Sequence, residues 1–585
     1  MSHKNNHTRR DLIKGAGLTA GALSLGLHPL FSAPAPDPPN TFPQLNERAR
    51  GWLRFLFEKA TTKDDWTSQG KPNEWWDQYT APGILSYPRF DLNESTYAVM
   101  MMADQTPAWR EVYSRIVDEL AGRYPTYWGA VDWLTQIGDD PARANYPPFV
   151  MALLPPNLRG KYNRVGWVAN GIEPYGLSPD PLAADGNLFY RGWFNLIMSA
   201  YDYISGDDKW RKPFKIVGYQ DREFEWTQDR IVERLNKQWA ERPAGIHCEN
   251  TKVWPFCLSA AGLGLHLYDR LHGTKMHSVT QNWFEYFRHN YMGVSADGKL
   301  EWSTFYYDPV VNFKFNQPLQ NLGTLFYMLP QNPELAGFLY KAAVAANRWD
   351  DPNAPVRGLS YLSVVLSREM GDETTYKKLS AAAEQQFEPK FFGQDSADFG
   401  WWFKLGEKYP RGQQSALMMV SQVGKGGDWS KAFTNPHPAK FKAPTVEGVD
   451  FPAMGVNQAW NDPAAGALNV ATYAATPSRR GAATTFRVTN LPNARKVKIF
   501  VDGQPFKRFR VVGPNTIQID CAIDSHYYRI VTGYRDNVAS VEPQPETHRA
   551  PALKENGAFA SASLSGASAV SLLASAPGCP CCAKG

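Results

Sequence analysis

Ala244-Gly-Ile-His-Cys248-Glu249-Asn-Thr-Lys-Val-Trp254-Pro255-Phe256-Cys257 runs directly into an apolar stretch that ends at Gly273. Proline suits the first position of a helix, where its missing N–H is not needed. Leu258, Ala261, Leu265 and Tyr268 then recur at helical spacings, and Gly273 can close the run in a left-handed conformation. Cys257 therefore falls in the first turn, where free amide N–H groups and the positive end of the helix dipole lower a thiol's pKa. Cys248 lies just before, in a non-helical approach. The two cysteines bracket the mouth of one helix.

The same punctuation recurs outward from this segment. Helix-forming runs end at Ser205-Gly206-Asp207-Asp208, at His272-Gly273-Thr274-Lys275 and at Met370-Gly371-Asp372-Glu373. In each, Gly closes one helix and Asp207, Thr274 or Asp372 can cap the next. Short turns of this kind make antiparallel helical hairpins, so residues 45–448 read as mainly helical. Near Val449 the pattern changes to alternating β-type runs: Ala467–Tyr473, Thr485–Val488, Val497–Val501, Thr516–Ile519 and Tyr527–Val531. Asp502-Gly503 is a hairpin signal. Residues 449–540 read as a small β-sandwich-like domain, and the Ala/Ser/Pro-rich 541–585 as a disordered tail.

At the other end, Arg9-Arg10 precedes an apolar stretch from Gly15 to Phe31 and the small residues Ala33-Pro34-Ala35. This reads as a twin-arginine signal over 1–35, followed by a Pro-rich linker over 36–44. The expected location is periplasmic or secreted, with no membrane span once the signal is removed. Of the formal charge of +5, +3 belongs to the leader, and the remaining +2 gives no reason to expect nucleic acid as a partner. With 20 Trp, 27 Tyr and 31 Phe, interior and cavity walls should be aromatic.

For Cys248 and Cys257 the residues alone leave several readings open. A disulfide is natural in an exported protein. Free thiols are also common inert core residues, and zinc binding with His247 or His266 is a third choice, although the spacing is unusual. The fourth is a catalytic pair. The tail Cys579-Pro580-Cys581-Cys582 has no spaced partner ligands, and Cys521 takes no assigned role.

The segment from Ala244 to Thr274, with its ending Tyr268-Asp269-Arg270-Leu271-His272-Gly273-Thr274, resembles the linalool dehydratase/isomerase family. Asn187-Leu-Phe189-Tyr190-Arg191-Gly192-Trp193-Phe-Asn195-Leu196 and Leu366-Ser-Arg368-Glu369-Met370-Gly371-Asp372 carry the same resemblance, over roughly Asp77 to Asp372. The resemblance implies a mainly α fold, an (α/α)6 toroid, ahead of the β-rich domain. It implies Cys248 and Cys257 as active-site thiols and places a family aspartate at Asp77, in Trp75-Trp76-Asp77-Gln78-Tyr79. Phe189, Tyr190, Trp193, Trp254 and Glu249 are the candidate substrate-contacting residues. The family's cavity histidine is Trp193 here, and the later family tyrosine falls near Pro318-Leu319, so some hydroxyl-binding partners are replaced.

The implied activity is dehydration, hydration or allylic isomerisation of a small isoprenoid-type alcohol. One thiol serves as acid and the other as base or nucleophile, without metal or organic cofactor. The expected partner is a small hydrophobic alcohol or alkene, with a homo-oligomer compatible. The rival reading is an exported polysaccharide lyase or glycoside hydrolase, whose chemistry would rest on carboxylates or a Tyr/His pair.

Overall fold

The computed structural model describes residues 41–77, 88–130, 179–248, 252–309 and 312–536. The leader, the cysteine-bearing tail and Glu249 lie outside them. All described residues belong to one unit, Asn40–Gly585.

The helices are α1 (Glu47–Thr61), α2 (Pro88–Gln105), α3 (Glu111–Arg123), α4 (Leu188–Ser205), α5 (Gln228–Glu241), α6 (Pro255–His272) and α7 (Ser278–Asn290). They continue with α8 (Leu322–Met328), α9 (Pro333–Asn347), α10 (Tyr361–Glu369), α11 (Glu373–Gln386), α12 (Gly412–Val423) and α13 (Asp428–Thr434). The even-numbered helices form a closed circuit: α2 packs on α4, α4 on α6, α6 on α8, α8 on α10, α10 on α12, and α12 back on α2. They are apolar on almost every side. Sixteen residues of α2 and sixteen of α4 are buried, as expected of helices enclosed by others. The amphipathic odd-numbered helices α3, α5, α9 and α11 pack outside them, while α13 touches α2, α6 and α10 together and closes one end.

Left-handed glycines terminate α4 at Gly206 (φ 70°) and α6 at Gly273 (φ 67°), and Gly371 (φ 67°) precedes α11. Asp372 caps α11 through Thr375 N–H at 3.1 Å. The other two turns behave differently. Asp269, not Thr274, accepts the Met276 and His277 N–H groups ahead of α7. After Gly206, Asp207 Oδ1 accepts the Lys209 N–H at 3.0 Å at the start of a single 3₁₀ turn (Lys209–Arg211). The chain then enters a hairpin of β1 (Phe214–Val217) and β2 (Glu223–Trp226) instead of an α-helix.

This is part of a larger correction: the protein is mixed α/β, not mainly α, with 13 helices and five antiparallel sheets among the described residues. The connections between helices hold β1–β2, the three-stranded sheet β3 (Met292–Val294), β4 (Leu300–Asp308) and β5 (Phe313–Gln317), and the pair β6 (Pro389–Phe392) and β7 (Asp398–Trp401). The physical reason is visible in β4, where Thr304, Phe305, Tyr306 and Tyr307 are β-branched or aromatic and follow a turn at Gly298 (φ 79°). Runs this short are hard to separate from buried helix by periodicity alone.

The C-terminal strands are β8 (Thr445–Glu447), β9 (Met454–Asp462), β10 (Ala467–Ala474), β11 (Ala483–Thr489), β12 (Lys498–Val501), β13 (Gln504–Phe506), β14 (Phe509–Gly513), β15 (Thr516–Ala522) and β16 (Tyr527–Val531). They make a sheet ordered β13-β12-β16-β10-β9 and another ordered β14-β15-β11-β8. Phe486 of the second meets Tyr528 of the first edge-on, with ring centroids 5.3 Å apart. Asp502 (φ 49°) and Gly503 (φ 80°) form the turn between β12 and β13. Backbone hydrogen bonds from Leu45 to Asn457 (2.8 Å) and from Val446 to Ala108 (2.7 Å) tie these sheets to the helices. No described helix is long and apolar enough to cross a membrane.

Candidate active site

Pro255 opens α6, and Trp254 before it packs on Phe305 (5.5 Å) and Tyr306 (4.9 Å) of β4. Val253 exchanges backbone hydrogen bonds with Tyr307 at 2.7 and 2.9 Å. The unforeseen sheet thus fixes where α6 begins. Cys248 is held from both sides: its N–H donates to Lys252 O at 2.7 Å, and it bridges to Asn187, just before α4. The two helices approach closely because Gly192 faces Ala261; a Cβ at 192 would stand 2.6 Å from the Ala261 Cβ.

This arrangement brings the two thiols together. Both are free and buried, and the Cys257 side chain hydrogen-bonds Cys248. Burial alone would raise the Cys248 pKa. The Cys257 hydrogen bond, the Phe189 N–H and the charges of Arg89 and Arg191 outweigh it and bring the thiol below its ordinary 9.0. Arg191 is fully buried and donates to Gln238 Oε1 at 2.8 Å; burial lowers its own pKa to about 9.

Aromatic rings lead away from the thiols. Phe189 and Trp193 stack at 3.7 Å, and the Arg89 guanidinium lies 4.3 Å from the Phe189 ring centre. Trp193 in turn meets Phe256 and Tyr327, each at 5.4 Å. Asn93 donates to Trp193 O at 2.6 Å, tying α2 to α4.

Beyond this belt stands Glu94 on α2. The Tyr327 hydroxyl donates to Glu94 Oε1 at 2.8 Å, and the Tyr97 and Tyr327 hydroxyls are 3.0 Å apart. Burial pushes the Glu94 carboxyl from 4.5 up to about 8; Tyr327 and Gln413 oppose the rise, and Asp77 and Asp91 add to it. Glu94, Phe256, Tyr327, Tyr361, Gln413 and Leu417 line a cavity of about 10 Å3, about the room one water needs. Arg89, Phe189, Phe256, Gly323, Leu362 and Gln413 each stand second in their helix, so the site is built from the N-terminal turns of all six circuit helices.

Of the residues expected from the sequence, Cys248, Cys257, Phe189 and Trp193 meet. Asp77 sits at the start of α12, where its two carboxylate oxygens accept the Gly412 and Gln413 N–H groups at 2.8 and 3.0 Å. Tyr190 turns toward α3, donating to Tyr124 O at 2.7 Å. Trp254 lies on the sheet. Sequence reasoning missed Arg89, Glu94, Tyr97, Tyr327 and Tyr361. A usable signal was present: Asp91, Asn93 and Glu94 lie in a helix otherwise rich in Phe, Tyr, Val and Met, so that helix has no clean polar face on which to expose them.

Residues 167–397 match the family model of the linalool dehydratases/isomerases. The matched segment contains both thiols, Phe189, Tyr190, Trp193 and Trp254, and excludes Asp77 and Glu94. Among solved structures, a GH127 β-L-arabinofuranosidase from Geobacillus stearothermophilus T6 is similar at 9% identity and a TM-score of 0.23, over 82% of this chain and 75% of that one. A likeness that slight carries no argument about this chain.

Proposed function

Starting from the linalool dehydratase/isomerase match over residues 167–397, we propose that this chain is a lyase/isomerase of that kind. Its reaction is dehydration, hydration or allylic isomerisation of a small isoprenoid-type alcohol, carried out without an organic cofactor after export by the twin-arginine route. The observation that supports the thiol chemistry most is the hydrogen-bonded, unlinked pair Cys248–Cys257 inside the matched segment.

The roles follow from the environment of each sulfur. Cys248 accepts from the Cys257 thiol and the Phe189 N–H and lies in the field of Arg89 and Arg191. It is therefore the sulfur placed to take a proton from a carbon next to the reacting centre, or to attack it. Cys257 is its hydrogen-bond partner. The faces of Trp193 and Phe256 offer electron-rich surfaces to the positive charge that develops as the C–O bond stretches, each contributing roughly 0.5–2 kcal/mol when desolvated. Asp77 acts through α12 by capping it, which fixes Gln413 and Leu417 at the cavity wall.

Purified protein incubated with linalool tests this reading, with volatile alkenes and isomeric alcohols followed by gas chromatography. The expected result is conversion that survives dialysis against chelator. Release of unsaturated or reducing sugar ends from polysaccharide, with no change in linalool, would instead favour the carbohydrate-active rival.

A further inference from the structure

Two buried polar groups of the cavity beside Glu94 are poorly satisfied. Glu94 Oε2 and the Tyr361 hydroxyl make no well-aligned hydrogen bond although each residue lines the space, and Gln413, also in the wall, is the side chain besides Tyr327 that reaches the Glu94 carboxyl. Glu94 Oε1, by contrast, is fixed by Tyr327. A buried polar atom left unpaired costs about 1–3 kcal/mol, and native interiors relieve that cost with a bound water or ligand. The volume admits one oxygen-sized group. Apart from Tyr327 and Gln413, the rest of the wall is apolar (Phe256, Phe326, Leu362 and Leu417), so whatever enters meets Glu94 and Tyr361, with Gln413 beside them, as its polar partners.

We propose that this cavity is the oxygen subsite of the reaction: Glu94 and Tyr361 hold the substrate hydroxyl and then the single water derived from it. The inference rests on the alcohol-lyase reading above and adds to it the residues that handle the leaving oxygen. Phe256 connects the two ends of the site, since it precedes Cys257 in α6 and lines the cavity. In dehydration the Glu94 O–H gives its proton to the hydroxyl as the C–O bond breaks, the bonding pair leaves with oxygen, and water remains in the cavity. The Cys248 thiolate takes a proton from the neighbouring carbon, and that C–H pair becomes the new double bond. Glu94 is left as carboxylate and Cys248 as thiol; return of one proton from sulfur to carboxylate through the retained water resets the site. Hydration is the reverse.

The charge and proton partners around Glu94 agree with an acid that holds its proton at neutral pH. Tyr327 faces it from α8, Tyr361 from α10, Gln413 from α12, and Tyr97 and Asp91 from its own helix, with Asp77 from the preceding loop. Lys59 of α1 faces Asp91, to which it is bonded at 2.5 Å, and is committed to that carboxylate.

Two measurements decide the point. A high-resolution crystal structure of the intact protein should show one ordered oxygen within hydrogen-bonding distance of both Glu94 Oε2 and Tyr361 Oη; a dry cavity would overturn the proposal. In linalool turnover, Glu94→Gln should lower kcat by about 100-fold with KM changed less than about threefold, and should abolish the loss of rate above about pH 8. Tyr361→Phe should lower kcat by about tenfold while keeping the pH limb. Wild-type kcat and an unchanged pH profile in a folded Glu94→Gln protein would exclude Glu94 as the acid. If the wild type converts no linalool, the functional reading fails separately, and the crystallographic oxygen alone decides whether the subsite exists.

Discussion

At the scale of single residues, the thiol pair was legible because its signal is local. Pro255 at a helix start, a cysteine two residues later and a second cysteine in an extended approach determine spacing and proximity almost alone. The sulfur that is lowered, however, is Cys248, through Cys257, Phe189, Arg89 and Arg191 rather than through the helix start at Cys257. Glu94 was not legible, because its character depends on partners far away in the chain. Tyr327, Tyr361 and Gln413 come from three other helices, and a Glu read in isolation is a solvated surface acid. The local account predicts the protonation of Cys248. Cys257→Ala removes the donor that is the largest lowering influence on Cys248, so the Cys248 thiolate should form at higher pH than in the wild type. Ultraviolet thiolate absorbance against pH, with Cys521, Cys579, Cys581 and Cys582 substituted in both proteins, measures this. A downward or absent shift would show that the pair does not share a hydrogen bond.

At the scale of elements, helix ends read well and connections read poorly. Gly206, Gly273 and Gly371 take the expected left-handed conformation, since a C-terminal glycine is decided by its own backbone. The β3–β4–β5 sheet was hidden because its strands are short and lie inside a helical stretch. Yet β4 is what Trp254 leans on, so the start of α6 and the position of Cys257 depend on it. The α4–α6 crossing is equally demanding. Gly192→Ala would press a methyl to 2.6 Å from the Ala261 Cβ, which should cost about 1–3 kcal/mol through forced separation of the helices. Because α6 carries Cys257 and the Phe189 N–H of α4 donates to Cys248, turnover should fall further than stability does. Chemical denaturation and linalool turnover on the same sample give the comparison, and a change confined to stability would separate the crossing from the site.

At the scale of the whole molecule, buried ionisable groups tie the helical circuit to its outer layer. Lys59 of α1 and Asp91 of α2 are fully buried and paired. Lys59→Met leaves a buried carboxylate without its cation, and should destabilise the fold by about 3–5 kcal/mol in denaturant melts. A loss below about 1 kcal/mol would mean that Asp91 is protonated in the native state. Glu369, at the end of α10, accepts the Trp429 N–H of α13 at 3.1 Å, and burial raises its carboxyl to about 8. The folded state therefore holds this proton more tightly than the unfolded chain. That contribution is complete below about pH 4.5 and is lost as pH rises through about 8, at up to about 1.4 kcal/mol per pH unit. Glu94 acts with the same sign. Stability should decline from about pH 5 to 8 in the wild type and decline less in Glu369→Gln; identical slopes would remove Glu369 from the account.

The central claim, that two sulfurs on the mouths of α4 and α6 carry out the alcohol chemistry, is tested most directly by product analysis of Cys248→Ala and Cys257→Ala against the wild type, with folding verified for each. Both single variants should lose at least about 100-fold in linalool conversion, with the double variant little worse than either, as for residues that act as one unit. Conversion at the wild-type rate in both variants would contradict the thiol mechanism.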